Sequence, residues 1–495
     1  MLDALPSGRF TREMAAHLLN RAGFGGSPAE VDRLAAMGLD KAVDWLVDYE
    51  SQPDVFSLPA WTTPDPQELA FRRTIPTLPQ DQKKEANQTQ RQTFRQREIE
   101  LHGWWLERMR ATQRPLQEKM TLFWHALFAT SIQKVNDPYM MWVQNETFRR
   151  NATGQWGEIL IAMAKDPAML VWLDGAQNRK RAPNENFARE VMELFTLGEG
   201  HYTEKDIKES ARAFAGWGVD RIAGTFEDRP FQHDLGVKRY LGHTGLYSGE
   251  DILRILAETP RSGQYVWARL WRYFATEEPN PELTDALAAR FAKEGGQFKP
   301  VLKVLFSSQE FYAPNVVRQQ VKAPVQWLVS TCRVLERPLP PRPSLMPMMR
   351  MLGQVLFAPP SVKGWDTGTS WIGTNTLLDR YNFAALFVQG SEKAMPRRFD
   401  GERNEMMSVS RASLQPYPDP GSEAGIEPEK LFTPEEMADS DKFLAALVRR
   451  LVSAPVGEGR MASLRAYVEG HKAKGPDMAR GAVRLLMSTP DFQLT

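Results

Sequence analysis

The sequence predicts a mainly α protein: one large multi-helical body over residues 1–392, a linker or long surface loop at 393–432, and a small helical C-terminal segment at 433–495. Three observations predict it. Apolar residues recur at the three- to four-residue interval of a helical face through most of the chain, whereas the alternation of a half-buried strand is rare. Ser, Thr, Asp or Asn precedes several of the periodic runs as an N-cap would, with Pro at the first helical position in places. One stretch, 225–247, loses the helical period and carries Phe226, Phe231, Tyr240 and scattered glycines, which reads as an irregular loop or short-hairpin insert.

From the N-terminus, helices are expected at 11–20, 27–37 and 41–49, the second opened by Ser27 and Pro28. Gly23, Gly25 and Gly26 read as a tight interhelical turn, because no strand precedes them and no Gly-Lys-Ser/Thr follows. Residues 51–77 are proline-rich and read as irregular. The run 80–110 is polar first and apolar later, with Ile99, Leu101, Trp104, Trp105 and Met109, so it should be a helix solvated at its start and buried at its end. Pro115 opens a helix dense in large side chains, and His125 sits inside it, where an imidazole needs a hydrogen-bond partner. Two further helices fit 138–173, and others fit 249–258, 262–273, 281–293, 298–307 and 323–335. After the run Arg337-Pro338-Leu339-Pro340-Pro341 comes a helix to about residue 356, then a polar loop to Arg380 that carries Trp365 and Trp371. The charged, Pro/Gly-rich composition of 393–432 fits a linker.

The densest group of signals lies at 183–217. Asn184 follows Pro183 as an N-cap, and Phe187, Val191 and Leu194 share one apolar face. At about 100° per residue, Asn186, Arg189, Glu190 and Glu193 fall on the neighbouring stripe, with Glu190 at the edge of the buried arc and the rest further out, so two carboxylates one turn apart point the same way. Leu197-Gly198 ends the helix, and Thr203 with Asp206 opens the next one as a capping box. A carboxylate in such a place either acquires a basic partner or holds its proton toward the pH range of acid-base catalysis. Two readings of the pair follow: an acid/base or ligand pair, and an interhelical salt-bridge network.

Bulk properties limit the alternatives. With 62 basic and 61 acidic residues the formal charge is +1, so no global field gathers nucleic acid, and none is expected as a partner. The single cysteine, Cys332, excludes an intramolecular disulfide, and its apolar neighbours make it a buried, inert thiol. No window approaches the apolar length of a transmembrane helix, and the N-terminus lacks the pattern of a signal peptide, so a cytoplasmic location is expected. A Gly-x-Ser-x-Gly elbow and a His-Glu-x-x-His motif are both missing.

Asn184-Glu185-Asn186-Phe187-Ala188-Arg189-Glu190 followed by Glu193-Leu194-Phe195-Thr196-Leu197-Gly198 resembles the signature of a bacterial family, the domain of unknown function 1800. Other motifs agree with it over about residues 10–390: His17-Leu18-Leu19-Asn20-Arg21-Ala22-Gly23-Phe24-Gly25, Phe123-Trp124-His125, Leu173-Asp174-Gly175, Tyr202-Thr203-Glu204-Lys205-Asp206, His233-Asp234, and Gly364-Trp365 with Arg380. The family name assigns no activity. Its version of the Phe-Trp-His motif continues with Asn and a second His, whereas Ala126 and Leu127 stand here, so a two-histidine centre on this helix cannot form. The resemblance also implies a sulfatase-like partner protein, encoded beside family members and bearing a twin-arginine export signal, with co-export to the periplasm left open.

The expected function is a hydrolase-type enzyme acting on a polar, saccharide-like substrate. Glu190 and Glu193 serve as the acid-base or ligand pair, and His233, Asp234 and His125 assist or help hold a divalent metal, the cofactor being otherwise unassigned. Trp365, Trp371, Arg189, Asn186 and Arg380 are the expected substrate contacts, the tryptophans as a stacking platform. The alternative is a non-catalytic helical scaffold, or an assembly or export partner of the sulfatase-like protein.

Overall fold

Local signals fix the helix starts. In the computed structural model, which describes residues 2–390, 424–452 and 454–495, Ser27 and Glu30 form a capping box on the helix Pro28–Met37, and Thr203 and Asp206 do the same on Glu204–Ala213. The chain is mainly α, and its strands are confined, among the described residues, to two antiparallel pairs. β1 (Trp217–Asp220) pairs with β2 (Thr225–Asp228) in the register Trp217 to Asp228, and β3 (Lys238–Tyr240) pairs with β4 (His243–Gly245). These two hairpins are the non-helical insert, which begins eight residues earlier than the sequence suggests because Trp217, Gly218 and Val219 are buried as a strand.

Two stretches depart from expectation. Within 51–77, a helix forms at Pro66–Thr74, since the Asp65 side chain accepts from the Gln67 amide and Pro66 takes the first helical position, where a missing N–H costs nothing. The polar loop ends earlier than Arg380, because the helix Thr374–Gln389 already contains Asn375 and Arg380. The long helix Gln80–Ala111 is exposed at its start and buried from Leu101 to Met109, as its composition predicts.

The core gathers around the helix Pro115–Leu127. Trp124, Phe128 and Trp156 stack with ring planes within 23° of one another, and Phe298 closes on the two tryptophans edge-on. One charged group is sunk in this core: Glu118 is fully buried and accepts from Arg108 Nε at 2.5 Å, Arg149 Nε at 2.7 Å and Trp105 Nε1 at 3.0 Å. Burial pushes its carboxyl up, but Arg149 and Arg108 outweigh burial and bring it down to about 2.

The C-terminal helices share this core. Phe432, Phe443, Leu447 and Phe492 are buried in it, the Thr495 amide donates to Gln320 O at 2.8 Å, and Arg450 donates to Val334 O at 3.0 Å. Of the expected linker, 393–423 lie outside the described residues; 424–432 hold the helix Pro428–Leu431 and bury Ile426, Leu431 and Phe432. Among the described residues no helix is long and apolar enough to cross a membrane.

Candidate functional site

The acidic pair stands on an unusual turn. The Asn184 side chain caps the helix Glu185–Glu190, and the chain then widens into a π-helix over Val191–Thr196, where the Leu197 amide reaches back to Met192 O at 2.8 Å. Such turns leave carbonyls poorly served and recur at functional sites. Here the helix Pro260–Phe274 serves them, with Tyr265 hydroxyl donating to Leu194 O at 2.8 Å and Arg261 Nε to Leu197 O at 2.9 Å.

Glu190 and Glu193 are both half-buried, and neither is ion-paired among the described residues. Burial pushes the Glu190 carboxyl up, Glu193 beside it pushes the same way, and Arg189 and Lys363 act against them. Glu193 accepts a hydrogen bond from the Tyr202 hydroxyl at 2.7 Å. The neighbouring stripe residues face other tasks. Arg189 forks onto Glu204 at 2.8 and 2.9 Å, and Asn186 Nδ2 donates to Leu173 O at 3.1 Å. The salt-bridge network expected as one reading therefore belongs to Arg189 and not to the two glutamates.

Lys363, the weaker of the two cations acting on Glu190, belongs to a second group of residues. It begins the Lys363-Gly364-Trp365 corner, and Gly364 takes φ +81° against the helix Pro115–Leu127, where a Cβ would stand 2.6 Å from Ala126 O. Only glycine fits there. The close approach sets the Trp365 ring against His125, with centroids 5.4 Å apart. His125 Nε2 accepts from the Phe357 amide at 2.9 Å, and burial, with the neighbouring His102, pushes the imidazole down to about 3. Its acceptor nitrogen is already used and it stays neutral. The expected catalytic or ligand role of His125 is corrected to that of a core imidazole supporting Trp365.

Beside Trp365 lies a cavity of about 140 Å³ between the helices Pro115–Leu127 and Pro260–Phe274 and the 363–371 loop. That volume is close to that of an engineered cavity which accepts one benzene-sized ring, about 150 Å³. Trp365, Trp371, Phe123 and Tyr273 supply aromatic walls, while Lys363, Arg269, Arg272, Glu277 and Asp366 supply charge. Arg269 Nε is buried with no hydrogen-bond partner among the described residues. Lys119, also in the lining, donates to Gln326 Oε1 at 2.5 Å and lies 5.0 Å from the Phe24 ring; burial, then Arg21, lowers its pKa well below that of an ordinary amine. Arg21 itself is a tether, donating to Phe274 O at 2.7 Å and Tyr273 O at 2.9 Å at a helix end.

The other expected residues are elsewhere. His233 Nε2 meets Asp228 at 2.7 Å and lies over Gly216, where a Cβ would come within 2.1 Å of its ring. Asp234 is held by Arg212 at 2.9 and 3.2 Å, which keeps its carboxyl below the ordinary range. Both fasten the insert, and the cavity lining contains neither of them, nor Glu190 and Glu193, whose link to it is the charge of Lys363. Arg380 is fully buried and donates to Lys322 O at 2.8 Å and Gln493 at 3.1 Å, so it ties in the C-terminus. Among the described residues no group of three or more His, Cys, Asp and Glu is disposed to hold a metal ion. Lys119, Arg269, Tyr273 and Glu277 are not marked in the sequence; Arg269 and Arg272, one turn apart on the side opposite the apolar stripe of their helix, are the available signal.

The family model described as "Protein of unknown function (DUF1800)" matches residues 17–494, which carries the likeness past residue 390 to the C-terminal helices. No curated protein and no solved structure matches the chain.

Proposed function

The chain belongs to the DUF1800 family of proteins of unknown function, and from that premise, which assigns no chemistry, we propose that it is a hydrolase-type enzyme acting on a polar, saccharide-like substrate. The observation that carries the reading is the Glu190 carboxyl, half-buried, without an ion-pair partner, and pushed up by burial and by Glu193. A carboxyl whose proton is held more firmly than an ordinary glutamic acid holds it is suited to act as a general acid. Glu190 delivers that proton to the leaving-group oxygen, while Glu193, steadied by the Tyr202 hydroxyl, takes one from the attacking water. A ring of the substrate rests in the cavity between Trp365 and Trp371, whose aromatic faces suit the apolar face of a sugar.

Turnover of a panel of 4-nitrophenyl glycosides and esters tests the reading. Glu190→Gln is expected to abolish turnover at an unchanged melting temperature; a variant that retains turnover, or a wild-type chain that cleaves none of the panel, rejects it.

A specific observation favours a second reading, a non-catalytic partner of a sulfatase-like protein. The insert presents Phe231, Leu235, Val237 and Leu246 to solvent, and apolar side chains gathered on one surface element mark association sites. Replacing Phe231 and Leu246 by Ser would then abolish co-purification with the sulfatase-like protein at an unchanged melting temperature; retained co-purification would reject it.

A further inference from the structure

A second concavity, of about 1030 Å³, opens between the polar start of the helix Gln80–Ala111, the helix Arg342–Leu352 and the segment 132–140. Five guanidiniums line it, from Arg72, Arg91, Arg95, Arg221 and Arg350, against two carboxylates, Glu98 and Asp137. Asp137 is already used: it takes Arg72 Nη2 at 3.0 Å and the Tyr139 amide at 2.9 Å. Arg91, Arg95, Arg221 and Arg350 form no ion pair among the described residues. In a chain whose total charge is +1, such a concentration is local, and it exceeds what Glu98, acting on Arg95 and Arg350, and Asp137 supply as counter-charge. Like charges four residues apart, Arg91 and Arg95, also disfavour the helix that carries them, so stability does not explain them.

The floor is of another kind. Ile99, Met140, Met346 and Met351 are apolar, and Phe94 lies beneath the Arg72 guanidinium at 5.2 Å from its ring centroid. Arg72 Nε is buried with no hydrogen-bond partner among the described residues. A cleft of this size, apolar below and cationic at its rim, falls in the range of small-molecule sites, about 300–1,000 Å³. Guanidinium forks match carboxylate, phosphate and sulfonate oxygens, and methionines adapt to a flat apolar body.

We propose that this cleft is a binding site for an organic polyanion, a molecule with at least two anionic groups on an apolar or aromatic body, separate from the Trp365 cavity and from Glu190. The anionic groups meet Arg91, Arg95, Arg221 and Arg350 at the rim, and the body lies on Phe94 and the methionines. Asn87 and Gln90, on the same helix face, supply neutral donors between the charges.

Pyrenetetrasulfonate, an aromatic polyanion, is the probe, titrated by fluorescence into the full-length chain. Arg95 and Arg350 are exposed, so the double variant Arg95→Glu/Arg350→Glu is expected to fold with the wild-type melting temperature and to bind at least about tenfold more weakly, the equivalent of about 1.4 kcal/mol. Phe94→Ala should weaken the pyrene probe and leave inorganic tripolyphosphate unaffected, which separates the apolar floor from the charged rim. Glu190→Gln should bind as wild type does, so the result is independent of the proposed hydrolase. Failure of the wild type to bind the probe, or equal affinity in the folded double variant, overturns the proposal. Tighter binding of a single-stranded oligothymidylate than of the probe overturns it too, in favour of a nucleic acid.

Discussion

Single buried charges decide much of this chain's energetics. Glu118 sits at 0% exposure between two guanidiniums, and removing its charge would leave Arg108 only Asp54 and Arg149 only Glu146 as carboxylate partners. Glu118→Gln should cost about 3–5 kcal/mol in urea unfolding, the usual range when one partner of a buried ion pair is removed. Lys119 is the opposite case, an amine with an amide partner and no carboxylate beside it. Its folded pKa is lowered, so the unfolded chain binds a proton that the folded chain resists, and the protein gains stability as pH rises toward the ordinary lysine value of 10.5. Lys119→Met should raise the melting temperature at pH 7 and flatten that rise. Asp166 is a raised carboxyl, pushed up to about 7 by burial against the caps it makes to Met169 and Gln144. Its stabilising contribution is complete below its unfolded value of 3.8 and is lost as pH rises through about 7. Asp166→Asn, which preserves the cap, should abolish that part of the decline in a pH series of melting temperatures. None of these three was legible in the sequence, since nothing local tells a buried charge from a solvated one.

At the scale of elements the sequence was more informative. The acidic stripe of 186–193, the caps at Asn184 and Thr203, the long helix that changes from polar to apolar and the insert near 225–247 follow from period and cap chemistry. The π-turn at Val191–Thr196 does not, because an extra residue per turn leaves no trace in composition. The helix Pro66–Thr74 was hidden by its prolines, although Asp65-Pro66 is itself a helix start. The corner at Gly364 holds Trp365 against the helix Pro115–Leu127, and in the sequence its glycine stands out only as part of the Gly364-Trp365 motif. Gly364→Ala combines a positive φ with a contact 2.6 Å from a backbone oxygen, so it should cost about 1–3 kcal/mol. Trp365 fluorescence should shift as its ring leaves His125.

In the whole molecule, long-range juxtaposition separates what the sequence could and could not place. His233-Asp234 and His125 looked like partners of the acidic pair, yet the fold spends them on Asp228, Arg212 and Phe357. Lys363, far along the chain, contributes a charge that acts on Glu190 without an ion pair between them among the described residues. The C-terminal helices are part of the same core, with Arg380, Gln493 and Thr495 packed at one place. Truncation after residue 423 would uncover Phe387 and Val388 and should leave an aggregating product, measured as loss of monomer in gel filtration. The most direct measurement of the central claim is the titration of the Glu190 carboxyl, followed by carbon NMR in wild type and in Glu193→Gln. The predicted midpoint lies above the ordinary 4.5 and falls when Glu193 loses its charge; a midpoint at or below 4.5, unmoved by that substitution, would contradict it.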